Sequence, residues 1–446
     1  MRTLHPARKR DAPVLVADQS WEAKGGLSNA YMWGGVRYDA DMRKFRMWYL
    51  CRRPPNRDSA LLYATSDDGL HWVKPLLGLR TDRLQGSSAN NIFEIASSAS
   101  VIYDPLEMDG AQRYKMLASR GGGYRVEYSA DGIHWKFYPR NPVLDQSDTA
   151  TVTQNPVTGE YLAYFKRHND HMVRGFPRRV VWVSRSSNFQ TWTKPELAVV
   201  PDEADDDWAR DTMASPDCRA EIYVMTVFPH AAGFIGFPVV FRHTARASAK
   251  GPNDGPLDVQ IATSPDGRTW NRPLPRPTLI SRGAPGTYDG GAIMGTVPPV
   301  NVGDETWVYY TANDASHGQP SPPKINSIGR AEWRLHGFVS LDAGPDGGRI
   351  ETKPMQFGTV HLLVNARVSN GGRLRVALLE PDGGPIAGYG LDQSNTLTTD
   401  STGWAAGWGE KGGGLGRSKP VRVVIEMSNC QLYSLRSEGP APDWEK

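Results

Sequence analysis

A seven-residue phrase that begins with Ser and ends with Trp recurs along this chain of 446 residues. Three copies read Ser-x-Asp-Gly-x-x-Trp, and a fourth keeps the Ser and the Trp; they occupy residues 66–72, 129–135, 264–270 and 186–192. Successive copies start 57 to 78 residues apart, which is too far for a thin solenoid repeat but suits a four-stranded sheet with its loops. This repeat phrase therefore predicts one propeller blade per copy.

Each residue of the repeat phrase suits the turn at the end of a strand. An Asp side chain accepts hydrogen bonds from nearby backbone amides, and Gly adopts a positive φ at little cost. The Trp is expected to fold back and pack between neighbouring sheets. Turn chemistry accounts for Asp68, Asp131 and Asp266, so we do not count them as catalytic residues.

Strand-like segments precede the repeat phrase in each unit. A short alternating stretch such as 62–66 comes directly before it, and an aromatic stretch such as 45–49 comes earlier. A fifth unit has the strands without the phrase. The pattern predicts an all-β protein with a five-bladed β-propeller over about residues 12–336, within a first domain of residues 1–336. The 46 Gly and 34 Pro residues agree with a fold rich in turns.

The sequence changes in character after residue 336. Strand-like segments such as 361–365 and 421–427 alternate with Gly-rich turns, and the repeat phrase is absent. About a hundred residues of this kind predict a C-terminal β-sandwich over residues 337–446.

Composition and motifs exclude several classes of partner. A net charge of +3 is slight for this length and gives no reason to expect nucleic acid or an anionic membrane surface. No apolar run approaches the roughly 20 residues of a membrane span. Cys51, Cys218 and Cys430 are far apart, so neither a disulfide framework nor a metal site is predicted. Motifs for a metal, a nucleophilic serine or a phosphate loop are lacking, and no cofactor is expected.

The first eleven residues bear on the compartment. They are basic but lack the apolar segment of a secretory signal. The chain as written is expected in the cytoplasm, and a natural start further upstream would instead place it in the periplasm or outside the cell. The sequence leaves the oligomeric state open.

Several short phrases resemble those of bacterial proteins grouped as glycoside hydrolase family 32 N-terminal-like. These phrases occupy residues 64–69, 90–92, 113–116, 178–180, 258–260 and 337–341, with a continuation to 352–354. The resemblance covers most of the chain and implies a five-bladed propeller followed by a β-sandwich, with activity on carbohydrates. The chain departs from true fructan hydrolases of this family, because their Asn-Asp-Pro, Arg-Asp-Pro and Glu-Cys motifs are absent. Fructan specificity is therefore not expected.

Acidic residues near the starts of the inner strands are the candidates for catalysis. A propeller brings these strand starts together around its axis, and glycoside hydrolysis needs two carboxyl groups that flank the scissile bond. Asp148 and Asp289 rank first because small residues surround them, and Glu221 and Glu22 come next. One of the four is predicted to be a general acid with a raised pKa, and another the base or nucleophile. Turn capping, an ion pair or a structural staple are the alternative roles.

Polar and aromatic side chains near the same strand starts are the candidates for substrate binding. Arginine and histidine side chains can hold a hydroxyl, carboxylate or sulfate of a sugar, and aromatic rings can stack on sugar rings. The set is Asn90, Asn91, Arg167, His168, Arg178, Trp33, Trp208, Tyr288 and His230, with Arg179 beside Arg178.

The sequence therefore predicts a glycoside hydrolase that acts on a poly- or oligosaccharide. Two other classes stay open: a propeller that binds glycans without cleaving them, and a polysaccharide lyase in which His or Tyr abstracts a proton beside a uronic acid. The separation of the carboxyl groups distinguishes the first, and ultraviolet absorbance of an unsaturated product distinguishes the second. The sugar, the linkage and the stereochemistry are left open.

Overall fold

The computed structural model describes residues 1–22, 29–53, 58–82, 86–145, 147–231, 233–243, 254–319, 324–356, 361–409 and 419–438. These residues form an all-β fold with one α-helix, α1 (Glu203–Met213), and a short 3-10 helix (Gly110–Gln112). Neither described helix is long and apolar enough to cross a membrane. The chain divides into a larger unit, Ala7–Val300 with Trp307–Ala331, and a smaller unit, Met1–Pro6 with Asn301–Thr306 and Glu332–Lys446.

The described strands, in chain order, are β1 (Arg2–Leu4), β2 (Arg8–Lys9), β3 (Ala30–Asp39), β4 (Lys44–Arg53), β5 (Asp58–Ser66), β6 (Ile92–Ile95), β7 (Ser98–Tyr103), β8 (Tyr114–Arg120), β9 (Gly123–Ser129), β10 (Lys136–Phe137), β11 (Ala150–Gln154), β12 (Tyr161–Val173), β13 (Phe176–Ser186), β14 (Glu196–Val199), β15 (Arg219–His230), β16 (Gly233–His243), β17 (Leu257–Val259), β18 (Ala262–Ser264), β19 (Ala292–Thr296), β20 (Val300–Val302), β21 (Glu305–Asn313), β22 (Asn326–Arg334), β23 (Val339–Ala343), β24 (Gly348–Glu351), β25 (His361–Leu379), β26 (Ser401–Ala405) and β27 (Arg422–Glu438).

Most of these strands form five sheets, which we number 1 to 5 in chain order. Sheets 1 to 3 have the orders β3-β4-β5-β6, β7-β8-β9-β10 and β11-β12-β13-β14. Sheet 4 is β15-β16-β17 with β18 also beside β16, and sheet 5 is β19-β21-β22-β2 with β20 also beside β21. Each sheet therefore runs mainly in chain order from its first strand outward, as consecutive antiparallel hairpins do.

The first strands of the five sheets contact one another in order. β3 contacts β7, β7 contacts β11, β11 contacts β15, β15 contacts β19, and β19 contacts β3. All five sheets line one narrow cavity of about 20 Å³, which has room for a single water molecule. Residues of these strands such as Met32, Met225 and Ile293 are fully buried. These contacts bring five strands, far apart in sequence, together around one cavity.

The repeat phrase forms the turn that the sequence predicts. In the first copy, Ser66 Oγ accepts hydrogen bonds from the backbone N–H groups of Asp68 and Gly69. Asp68 Oδ1 accepts two more from the N–H groups of residues 70 and 71. Gly69 has φ +68°, a conformation that favours glycine, and the Gly132 and Gly267 turns repeat it.

The same turns fasten each sheet to its neighbour. The carbonyl of Gly69 in sheet 1 accepts a hydrogen bond from Tyr309 of sheet 5, and that of Gly132 in sheet 2 accepts one from Trp48 of sheet 1. The Trp of the phrase also contacts the neighbouring sheet, since Trp72 packs edge-on against Tyr309 with ring centroids 5.8 Å apart. The prediction that this Trp packs between sheets is confirmed for Trp72.

Six of the described strands in the smaller unit form one sheet. Its order is β1-β23-β27-β25-β26, and β24 also pairs with β27. The long strands β25 and β27 contribute Leu362, Val376 and Ile425 to the core, and Trp408, which follows β26, packs with them. The all-β class is confirmed for the described residues. A two-layered sandwich and a domain boundary after residue 336 stay predictions.

Candidate active site

Two of the predicted carboxylates lie at the starts of neighbouring first strands. Asp148 precedes β11 by two residues, and Glu221 is the third residue of β15, which contacts β11. Both carboxylates act electrostatically on Lys166 and His168. The side chains gathered here, which we call the polar cluster, are Arg52, Asp148, Lys166, His168, Arg179, Glu221, Tyr223, His243 and His317.

Asp148 is the more accessible of the two carboxylates. Its side chain is 43% exposed, and Oδ2 lies 2.9 Å from Lys166 Nζ. Oδ1 has no hydrogen-bond partner among the described residues. Burial raises the pKa of Asp148, but the charges of Lys166, His168 and Arg52 outweigh it and hold that pKa below its usual range. Asp148 is therefore an ionised carboxylate whose side chain is partly exposed, whereas its Oδ1 is itself buried.

Lys166 is a buried cation behind Asp148. Its side chain has no exposed surface, and Nζ lies 3.6 Å from the centroid of the Tyr223 ring. Burial lowers the pKa of Lys166 to about 8, although the charge of Asp148 opposes that change. Its ammonium proton is therefore held less tightly than that of an ordinary lysine.

Glu221 is buried and paired with two basic side chains. Its Oε2 lies 2.9 Å from His243 Nε2 and also accepts a hydrogen bond from Arg179. Burial raises the pKa of Glu221, but His243 and Arg179 outweigh it and lower that pKa to about 2. Burial lowers the pKa of His243 in spite of Glu221. Glu221 is therefore a carboxylate that stays ionised over the whole physiological range of pH.

A β-bulge sets the position of Tyr223. The register of β15 against β16 shifts between Ile222 and Val224, so Tyr223 is the extra residue of the bulge. Its hydroxyl lies 3.2 Å from His317 Nε2. Burial, followed by the charge of Asp148, raises the pKa of Tyr223. Bulges commonly redirect side chains beside active sites, and this one places a protonated phenol in the polar cluster.

Three basic residues predicted to bind substrate lie in sheet 3. His168 has an exposed surface, but partial desolvation of its imidazole together with the charges of Lys166 and Arg179 lowers its pKa. Arg167 stacks on Trp182, with Cζ 5.1 Å from the ring centroid. Arg178 is buried and donates to Asp206 at 2.7 Å. His168 thus belongs to the polar cluster, whereas Arg178 has a carboxylate partner elsewhere.

Glu22 lies in a separate buried network. Its carboxylate accepts hydrogen bonds from the N–H groups of residues 18 and 19, from Tyr49 and from Lys74. Asn91 donates to the Tyr49 hydroxyl and accepts from Trp21. The predicted residue Asn90 caps the turn before β6, where Oδ1 accepts from the N–H group of residue 92.

Asp289 and Tyr288 lie in another network, beside β21. Asp289 is 2% exposed, and its Oδ2 lies 2.6 Å from Lys9 Nζ and 2.8 Å from the Tyr310 hydroxyl. The Tyr288 hydroxyl lies 2.8 Å from that of Tyr310 and donates to the carbonyl of Arg10. No contact links these residues to Asp148 or Glu221 within the described parts of the chain.

The last three predicted residues lie in different surroundings. Trp33 is buried, lines the narrow cavity and stacks on Tyr31 at 5.0 Å. Trp208 is on α1, where Arg242 Cζ lies 4.5 Å from its ring centroid. His230 is the last residue of β15, nine residues beyond Glu221. At about 3.3 Å per residue, that places His230 roughly 30 Å away along the strand.

Sequence reasoning missed several members of the polar cluster: Arg52, Lys166, Tyr223, His243 and His317. A usable signal was present, because Lys166 and His243 each stand at the end of an otherwise apolar aromatic stretch. In an antiparallel pair, the end of the second strand lies beside the start of the first strand, so a polar side chain there comes close to an acid at that start. No group of three or more His, Cys, Asp or Glu among the described residues is arranged to hold a metal ion.

Comparisons with known proteins concern the fold. No protein-family model matches the chain, and no curated protein matches it either. Among solved structures, a thermostable family-43 glycoside hydrolase is 15% identical, covering 71% of this chain and 93% of that chain with a TM-score of 0.46. A fructofuranosidase from Schwanniomyces occidentalis complexed with fructosylnystose is 10% identical, covering 95% and 96% with a TM-score of 0.42.

An N-acetylgalactosamine deacetylase from F. plautii, in complex with blood group B trisaccharide, is 15% identical. The similarity covers 76% of this chain and 96% of that chain, with a TM-score of 0.43. The solved structures similar to this chain include glycoside hydrolases, as the sequence resemblance predicts. At these identities the similarity is one of fold alone.

Proposed function

We propose that this protein is a glycoside hydrolase acting on a poly- or oligosaccharide, with Asp148 and Glu221 as its catalytic carboxylates. One observation carries the proposal: two ionised carboxylates stand at the starts of contacting first strands and share Lys166 and His168 as neighbours. Paired carboxyl groups across a shared space are what glycoside hydrolysis requires.

The proposal includes the architecture that the sequence predicts. The ordered contacts of the first strands, from β3 round to β19 and back to β3, support a five-bladed β-propeller. The propeller corresponds to a first domain of residues 1–336, and a β-sandwich of residues 337–446 follows it. In this fold the polar cluster lies at one mouth of the propeller axis.

The surroundings of the two carboxylates suggest different roles. Asp148 is partly exposed, and its pKa lies below the usual range rather than being raised as the sequence predicts for a general acid, so in this proposal it takes up its proton in the substrate complex. Asp148 is then the general acid that protonates the leaving oxygen. Glu221, with its pKa of about 2, is the ionised partner that accepts a proton from water or stabilises positive charge on the sugar.

We assign structural roles to the other two predicted carboxylates. Glu22 has no exposed surface and accepts hydrogen bonds from two backbone amides as well as from Tyr49 and Lys74. Asp289 is held by Lys9 and Tyr310. Among the described residues, neither Glu22 nor Asp289 contacts a member of the polar cluster, so we place both outside the candidate active site.

A polysaccharide lyase is the second candidate. The hydroxyl of Tyr223, 3.2 Å from His317, and the adjacent cations Lys166 and Arg179 favour it. A lyase uses Tyr or His to move a proton beside a uronate whose carboxylate is neutralised by cations. Its product absorbs ultraviolet light, whereas the product of hydrolysis does not.

The test compares turnover in matched variants on a panel of plant, algal and microbial polysaccharides. Asp148→Asn and Glu221→Gln should each lower kcat at least about a hundredfold, because each removes a carboxylate that acts in the transition state. Asp145→Asn is the control, since Asp145 lies in the same loop and its side chain is 92% exposed. Release of reducing ends, separated by chromatography, measures turnover.

Full activity in both Asp148→Asn and Glu221→Gln contradicts the proposal. Wild-type protein that binds a glycan of the panel without cleaving it supports the non-catalytic class instead. An ultraviolet-absorbing product supports the lyase. Circular dichroism of each variant separates loss of turnover from loss of folding.

A further inference from the structure

Arg52 is a partly buried cation of the polar cluster. It follows Cys51 on β4, opposite the start of β3, where its backbone N–H donates to the carbonyl of Asn29. No carboxylate forms an ion pair with Arg52 among the residues that the structure describes. Lys166 and Arg179, the buried cations nearby, are paired with Asp148 and Glu221 respectively.

Two aromatic rings hold the Arg52 guanidinium in place. Its Cζ lies 5.2 Å from the centroid of Tyr31 and 5.1 Å from that of Trp33, and these two rings stack on each other 5.0 Å apart. Such contacts orient a guanidinium at little entropic cost, since the planar group is already ordered before a ligand arrives. Arg52 is thus partly buried and oriented without being neutralised.

The charge of Arg52 extends into the candidate active site. It lowers the pKa of Asp148 and acts on Tyr31 and Tyr223 as well. A guanidinium binds a carboxylate or a sulfate through two parallel hydrogen bonds, which a neutral sugar hydroxyl cannot reproduce. We propose that Arg52 binds an oxyanion of the glycan, either a uronate carboxylate or a sulfate ester, beside Asp148.

This inference rests on the proposed function, which makes the ligand a glycan, and it adds that the glycan carries a carboxylate or a sulfate. It also links binding to catalysis. An oxyanion that pairs with Arg52 cancels one of the positive charges that keep Asp148 ionised. Asp148 would therefore take up a proton more readily in the complex than in the free protein, as a general acid must.

The experiment measures binding to glycans in charged and neutral pairs. Oligogalacturonates are compared with their methyl esters, and sulfated galactan oligosaccharides with their desulfated forms. Wild-type protein should bind the charged member of at least one pair about tenfold or more tightly than the neutral member. Arg52→Gln should remove that difference, and the pair affected distinguishes a carboxylate from a sulfate.

Arg37→Gln is the matched control. Arg37 also stacks on an aromatic ring, with Cζ 3.7 Å from the centroid of Tyr103, but it lies toward the other end of β3. It should keep the preference for the charged glycan. Arg52→Lys, which retains the charge but not the planar donor pair, should fall between wild type and Arg52→Gln.

Three results overturn the inference: equal binding of charged and neutral members, no binding of any charged glycan in the panel, or an unchanged preference in Arg52→Gln. Cleavage is scored separately on the same panel. Cleavage of neutral glycans at the same rate by wild type and Arg52→Gln overturns the inference and leaves the hydrolase proposal intact. Tight binding of charged glycans without cleavage supports the inference about Arg52 and contradicts the hydrolase proposal.

Discussion

The charge of Lys166 holds Asp148 in its ionised form against burial. Lys166→Met, which keeps the buried volume and removes the charge, should raise the pKa of Asp148, because burial would then act with less opposition. Because a general acid must be protonated, the alkaline limb of the pH profile of kcat/KM should move to higher pH, and a direct titration of the Asp148 carboxyl should show the same rise.

Lys115→Met is the matched control for this change. Lys115 is also a buried lysine, with Nζ 2.8 Å from Glu107, but it lies in sheet 2. Both variants should lose stability, and only Lys166→Met should shift the pH profile. An identical profile in wild type and Lys166→Met means that Asp148 does not titrate in catalysis.

Individual residues were predicted unevenly from the sequence. The position of Asp148 and Glu221 near strand starts could be predicted because an acid before or early in an inner strand is a local pattern, and their catalytic role stays a prediction. Lys166 and His243 belong to second strands, and their approach to those acids depends on the register between strands. Glu22 and Asp289 fit the same local pattern as Asp148, and they differ from it in being almost completely buried.

At the scale of elements, the turn of the repeat phrase joins neighbouring sheets. A Cβ at Gly132 would lie 2.7 Å from the Trp48 ring, and the backbone there has φ +71°. Gly132→Ala should lower the free energy of unfolding by about 2 to 4 kcal/mol, because it adds backbone strain to overpacking. Gly121→Ala is the control, since nothing lies within 4 Å of its Cβ position. Denaturant unfolding measures both; equal stability of the two variants contradicts this account.

The repeat phrase made the elements predictable, and its fourth copy explains where that ends. Phe189 stands where the other copies have Gly and adopts the same conformation, with φ +64°. Its ring is fully buried and packs against Tyr138 and Tyr161, which compensates for the strain. The strands of this unit could still be predicted, because that prediction depends on the alternation of apolar and polar residues and not on the Gly of the phrase. The bulge at Tyr223 does not follow from alternation, so its position could not be predicted.

At the scale of the whole molecule, buried carboxylates give the stability two opposite dependences on pH. The pKa of Glu221 is about 2 in the folded protein against 4.5 in the unfolded chain. Its contribution is therefore complete above pH 4.5 and is lost as the pH falls toward 2. Glu127 is the opposite case, because burial raises its pKa to about 7, even though Arg120 pairs with it. Its contribution is complete below pH 4.5 and declines as the pH rises toward 7.

Glu221→Gln and Glu127→Gln should therefore differ from wild type in separate pH windows. The difference in unfolding free energy between wild type and Glu221→Gln should grow from pH 2 to about 4.5 and then level off. The difference in unfolding free energy between wild type and Glu127→Gln should change only from about pH 4.5 to 7. Over that range wild type should lose stability relative to Glu127→Gln as the pH rises. Denaturant unfolding at closely spaced pH values measures both curves. A Glu221→Gln curve parallel to wild type below pH 4.5 would mean that Arg179 and His243 do not hold Glu221 ionised, and the base assigned to the candidate active site would then have to be sought elsewhere.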